Sequence, residues 1–175
     1  MLTITNNIQV GSFYLGQECN LACEYCKIRE HVWPKMNTQL NLDVFNFLKE
    51  NNIPRTIATM SEWDNVEFYI KEFNLAKWFD LDKIVYSNGK IPGKPAPDIF
   101  LIAAEKIGLN PKDCLVFEDA IAGINAAKSA GIGKIIAVDS MEPVEFYQGI
   151  DGLSSIITNF NEVDRSMFQA SSVSI

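Results

Sequence analysis

Short apolar runs alternate with amphipathic stretches along most of the chain, and the alternation predicts a succession of strands and helices. Residues 42–50 read as an amphipathic helix that Asn51-Asn52-Ile53-Pro54 ends. The β-branched run Thr56-Ile57-Ala58-Thr59-Met60 reads as a strand. Ser61-Glu62-Trp63-Asp64 is close to a capping box and opens a helix running to about Phe73. Lys83-Ile84-Val85-Tyr86 is a further strand candidate, after which Ser87-Asn88-Gly89 turns the chain. Lys94-Pro95-Ala96-Pro97 reads as a stiff extended loop, with Pro97 suited to the first turn of a helix over 98–107. Gly108 and Asn110-Pro111 close that helix. Leu115-Val116-Phe117 is a short buried strand, and a small-residue helix follows from Ala120 to a C′ glycine, Gly131. Residues 134–138 and 155–158 read as two more strands, with a short helix over 142–148 between them.

Strand and helix alternate from residue 42 onward, which predicts βαβ units with right-handed crossovers. The expected fold class is therefore α/β, a three-layer Rossmann-like parallel sheet. Upstream, residues 8–15 fit a strand or the start of a helix, and residues 18–35 have helical character. Cys19, Cys23 and Cys26 fall at i, i+4 and i+7, so on a helix they share one face with Leu15 and Ala22 nearby. Trp63, Phe68, Phe73, Trp78 and Phe79 are dense and amphipathic and read as core, as does Cys114 beside its strand. The tail from about Asp164 is polar and reads as frayed.

Composition narrows the partners. The 175 residues are one domain's length and are 47% hydrophobic and 21% charged, the balance of an ordinary soluble domain. The net charge is −7 and no block of Lys and Arg occurs, which argues against nucleic acid and anionic membrane as partners. A bound divalent cation suits that balance. The sequence has no run of about 18 apolar residues and no basic, apolar leader at Met1, so a cytoplasmic protein with reduced cysteines is expected.

Candidate chemistry collects at consecutive strand ends. Glu118 and Asp119 stand side by side where a strand ends, and two such acids repel unless a cation or hydrogen-bond donors offset them. Carboxylate oxygens suit Mg²⁺, although an acidic helix N-cap explains them equally well. Thr59 ends another strand, where a hydroxyl beside the N–H groups of a starting helix can seat a phosphate. Lys94, held in a Pro-Ala-Pro loop, adds a point charge for phosphate oxygens. Separately, Thr59 is also a plain β-former and Lys94 a solvated loop lysine. Their placement at successive strand ends favours a common site.

Those motifs carry a resemblance. Residues 42–160 resemble the core of a haloacid dehalogenase (HAD) superfamily hydrolase, in the subgroup of β-phosphoglucomutase and phosphoglycolate phosphatase. Ile57-Ala58-Thr59-Met60-Ser61 resembles that family's second motif, Gly93-Lys94-Pro95-Ala96-Pro97-Asp98-Ile99-Phe100 its third, and Phe117-Glu118-Asp119-Ala120-Ile121-Ala122-Gly123 its fourth. The resemblance implies Mg²⁺-dependent transfer or hydrolysis of phosphate on a small phosphorylated metabolite, through an aspartyl-phosphate. It implies that Thr59 and Met60 seat the phosphoryl group with Lys94, that Lys94 and Thr59 act in the chemistry, and that Glu118 and Asp119 hold or orient Mg²⁺. It also implies a partial helical cap over 1–41, an α/β core over 42–163 and a flexible tail over 164–175.

One part of the family pattern is not found. HAD phosphatases carry the nucleophile in an Asp-x-Asp-Gly-Thr/Val motif on a strand near the N-terminus, whereas Asp43 is the only aspartate before Thr59. The reading thus divides between a chain given without its first strand, a non-catalytic binding or assembly module, and a replacement strand from residues 3–15. A short cap would leave apolar surface that favours self-association. A rival motif, Cys19-Asn20-Leu21-Ala22-Cys23-Glu24-Tyr25-Cys26, resembles the iron–sulfur site of radical S-adenosylmethionine enzymes, but those need a much longer barrel. Helix packing explains the same three cysteines. His31, the single histidine, has no partner that spacing assigns.

Overall fold

The computed structural model describes residues 38–139 and 144–168. The elements run α1 (Thr38–Glu50), α2 (Trp63–Glu72), α3 (Asp98–Lys106), β1 (Leu115–Glu118), α4 (Ile121–Ser129), β2 (Lys134–Val138), α5 (Val144–Gln148) and β3 (Ser155–Ile157). The three strands form a parallel sheet in the order β1-β2-β3. Leu115 faces Lys134 and Glu118 faces Ala137 across the first pair, and Val138 faces Ile157 across the second.

Side-chain alternation along the strands explains the layering. Successive strand residues point to opposite faces, so a strand buried on both sides is apolar throughout. Leu115, Phe117, Ile136 and Val138 enter one core with Val44, Phe45 and Leu48 of α1 and Val66 of α2. Val116, Ile135 and Ala137 enter the other with Ile99 and Phe100 of α3 and Ile124 and Ala127 of α4. Helices therefore cover both faces of the sheet, as the three-layer expectation requires. Ile57 and Ala58 divide in the same way between the two cores, which puts their stretch in the layer of the sheet.

Two predicted strands are less regular than their composition suggests. Thr56–Met60 and Lys83–Tyr86 meet through one parallel bridge, Ala58 to Val85, with Val85 N–H donating to the Ile57 carbonyl at 2.8 Å and Thr59 N–H to the Val85 carbonyl at 2.9 Å. Both stretches turn away immediately: Ser61 precedes α2, and Ser87 N–H donates to the Ser61 carbonyl at 3.0 Å. The capping box at Ser61 is not formed. Glu62 takes the N-cap position of α2 with no side-chain cap, and the Ser61 N–H that the box would give to Asp64 goes instead to Thr59 Oγ1 at 3.1 Å.

The aromatic group also divides. Trp78 and Phe79 are buried beside Phe45, with the Trp78 indole donating to Asn46 Oδ1 at 2.9 Å, and Phe73 packs against the same core. Trp63 and Phe68 do not join the interior: they are 45% and 40% exposed, since α2 turns only its Val66 side fully inward. Gly131 follows α4 with φ of 70°, the left-handed C′ position that the sequence predicts. α1 begins four residues before the expected core boundary at Leu42. Arg165–Phe168, within the expected tail, forms a 3₁₀ turn whose Phe168 packs against Phe47. The candidate segment at 8–15, the helix at 18–35, the three N-terminal cysteines and His31 lie outside the described residues. Among the described residues no helix is long and apolar enough to cross a membrane.

Candidate active site

Parallel strands deliver their carboxyl ends to one edge, which is where open α/β sheets bind ligands. β1 ends at Glu118, and the two-residue turn Asp119-Ala120 leads directly into α4. Glu118 and Asp119 are both buried, at 2% and 6% exposure. The apolar run Leu115-Val116-Phe117 carries them to this depth, so the acids must be offset by neighbours.

The structure brings Lys94 and Glu118 together. Lys94 Nζ lies 3.0 Å from Glu118 Oε2, and the two side chains are only 7% and 1% exposed. The other carboxylate oxygen, Oε1, accepts the Ala120 N–H at 3.3 Å. Gly123 completes the cradle: a Cβ there would collide with the Glu118 carboxylate, so only glycine lets the acid lie against α4. Lys94 Nζ also sits 5.1 Å from the centroid of Phe100. The lysine is delivered by the loop before α3, whose Lys94–Pro95 peptide bond is cis.

Thr59 is buried at 1% exposure at the end of its bridged stretch, with Oγ1 accepting the Ser61 N–H. Met60 is half-buried and packs its side chain against the α3–α4 core. The Thr59 backbone N–H donates to the Val85 carbonyl at 2.9 Å.

The donor set fits Mg²⁺. Mg²⁺ takes oxygen ligands, keeps several waters, and is held by one or two carboxylates together with substrate phosphate. Asp119, beside the lysine-anchored Glu118, offers such a carboxylate. Among the described residues no group of three or more His, Cys, Asp and Glu converges.

Three contributors escape sequence reasoning. Phe100 and Gly123 sit inside the quoted motifs, where an unexpected helix-interior glycine next to an acid pair is the available signal. Tyr147 has no such signal: it lies 28 positions from Asp119, yet its buried hydroxyl donates to the Asp119 carbonyl at 2.7 Å. Nearby, burial and then the Glu145 carboxylate hold Asp139, just past β2, above the usual carboxylate range. Cys114 is core as expected, and burial pushes its thiol up.

Comparison with known proteins agrees with this geometry. The family described as haloacid dehalogenase-like hydrolase matches residues 23–131. A fructose-1-phosphate phosphatase of Escherichia coli is 38% identical over 82 residues, 47% of this chain and 43% of that protein. A phosphorylated carbohydrates phosphatase of Thermotoga maritima is 33% identical over 96 residues, 55% of this chain and 44% of that protein. The chain thus spans less than half the length of these curated relatives. Among solved structures, a HAD hydrolase of family IA, variant 3, from Entamoeba histolytica is 42% identical with a TM-score of 0.70, covering 73% of this chain and 56% of that one.

Proposed function

Because the chain belongs to the haloacid dehalogenase-like hydrolase family, we propose that it carries the phosphoryl- and metal-binding residues of a Mg²⁺-dependent phosphatase or phosphomutase acting on a small phosphate ester. The observation that carries the reading is the buried Lys94–Glu118 pair, 3.0 Å apart and adjacent to Asp119 at the carboxyl end of β1. A lysine held this deep by one carboxylate keeps its ammonium in place for a phosphoryl oxygen, without reorganising during the reaction. The Thr59 hydroxyl and the Met60 N–H, at the end of the bridged 56–60 stretch, would supply neutral donors. Glu118 anchors the lysine and, through the Ala120 N–H, the turn that bears Asp119. Asp119 would hold Mg²⁺, which when bound neutralises phosphate charge and orients the ester. Relatives named for fructose 1-phosphate and phosphorylated carbohydrates support a sugar phosphate as the ester.

A second reading is binding without turnover, favoured by one observation: Asp43 is the only aspartate before Thr59, so these residues show no Asp-x-Asp nucleophile motif. Phosphate release from an aryl phosphate, with and without Mg²⁺, separates the two. Mg²⁺-dependent release supports catalysis by this chain. Phosphate binding that needs Mg²⁺ but gives no release supports the binding module. Neither binding nor release overturns both. A site in a cytoplasmic protein, and self-association through exposed Trp63, Phe68 and Ile121, belong to the same proposal. A light-scattering series that stays monomeric across concentrations rules the self-association out.

A further inference from the structure

We propose that Tyr147 is a positioning residue for the cation site, because its buried hydroxyl and the Glu118 carboxylate pin the two ends of the single peptide unit that follows Asp119. The Asp119 carbonyl and the Ala120 N–H belong to one planar amide. Tyr147 Oη donates to that carbonyl at 2.7 Å, and Glu118 Oε1 accepts from that N–H at 3.3 Å. A plane held at both ends cannot rotate, and with the preceding residue, Glu118, held in the β1–β2 ladder, the rotation about the Asp119 Cα–C bond and the Asp119 Cα–Cβ direction are fixed as well. Tyr147 can do this because it is itself immobile: it is 1% exposed, packed in the α3–α4 core, and met edge-on by Phe146 with ring centroids 5.5 Å apart.

The short helix α5 is thereby tied to the β1–α4 turn across the sheet edge. α5 also packs against β3, and burying a tyrosine hydroxyl is costly without a polar partner. Its one donor is spent on the residue whose orientation matters most for a cation. Partners of metal ligands act in this way, and their loss lowers metal affinity about 10- to 100-fold.

The inference rests on Asp119 as a Mg²⁺ ligand, and its test separates the two claims. Mn²⁺ binding to the full chain is measured by electron paramagnetic resonance for the wild type, Tyr147→Phe, Phe146→Leu, Asp119→Asn and the Tyr147→Phe/Asp119→Asn double variant. Tyr147→Phe is expected to bind about 10-fold or more weakly. Phe146→Leu disturbs the same helix but keeps the hydroxyl, and is expected to bind like the wild type. The double variant is expected to bind no more weakly than Asp119→Asn, since Tyr147 acts only through that residue. Affinity within twofold of wild type in Tyr147→Phe overturns the positioning role while leaving Asp119 as a ligand. An equal loss in Phe146→Leu overturns it too, as it would mark a packing effect. Wild-type affinity in Asp119→Asn, or no Mn²⁺ binding by the wild type, overturns the metal reading and this inference together. A readout without substitution is the Tyr147 hydroxyl proton in the wild type. It is expected to shift together with the Ala120 amide as Mg²⁺ is added, and a hydroxyl unmoved at saturation also overturns the role.

Discussion

The site depends on a few side chains held where charge is expensive. Lys94 and Glu118 share one hydrogen-bonded contact at 7% and 1% exposure, so neither is screened by water. Removing one partner of such a pair costs about 3–5 kcal/mol, because the other charge loses its counter-ion in a poorly polarisable interior. Lys94→Ala is expected to lower stability by that amount in urea unfolding, and a loss below about 1 kcal/mol would show that the pair is solvated. Gly123→Ala is expected to destabilise as well, by driving a methyl group into the Glu118 carboxylate, with Gly131→Ala as a comparison whose cost comes from φ of 70° alone. Much at this scale was legible in the chain: an acid pair after an apolar run, and a lysine before Pro-Ala-Pro, announce themselves by residue type and spacing. The Tyr147 hydroxyl was not legible. Its partner is a backbone carbonyl 28 positions away, and a carbonyl leaves no mark in a sequence.

The elements show where local signals hold and where tertiary structure overrides them. β2 fell where the apolar run at 134–138 put it, because a strand buried on both faces needs that composition. The 56–60 and 83–86 runs look equally strand-like, yet they share a single bridge, since strand identity also requires a partner along its length. Ser61 was expected to cap α2, but its N–H bonds to Thr59 Oγ1 and the N-cap falls one residue later, on a glutamate whose side chain caps nothing. Supplying the missing cap is therefore expected to help. Glu62→Ser should raise stability by about 1 kcal/mol in thermal or urea unfolding, and no gain would mean that the first-turn N–H groups are already satisfied. Trp63 and Phe68 were expected inside from hydrophobicity alone, whereas the orientation of α2 leaves both at the surface.

Across the whole molecule, an acidic chain brings several carboxylates to one end of the sheet, and the fold must tolerate them. Asp139 titrates above the usual carboxylate range through burial and its neighbour Glu145. A raised carboxylate binds its proton more readily in the folded chain, so its contribution to stability is full below the ordinary value near about pH 4 and is lost as pH rises through the folded value. Asp139→Asn is accordingly expected to raise the melting temperature at pH 7 and to change little below about pH 4. An equal gain at both pH values would assign the effect to packing instead. The parallel sheet, its two covered faces and the gathering of motifs at its carboxyl edge were all readable from the alternation of strand and helix. Which side chains turn outward was not, because that depends on how each helix is rotated against the sheet. The proposal that Thr59, Lys94, Glu118 and Asp119 form one phosphate and Mg²⁺ site is open to calorimetric titration with inorganic phosphate. Mg²⁺ should tighten phosphate binding to the wild-type chain, and Asp119→Asn should remove that dependence while the fold persists. Phosphate binding that is the same with and without Mg²⁺, or a Mg²⁺ effect retained in Asp119→Asn, would contradict the claim.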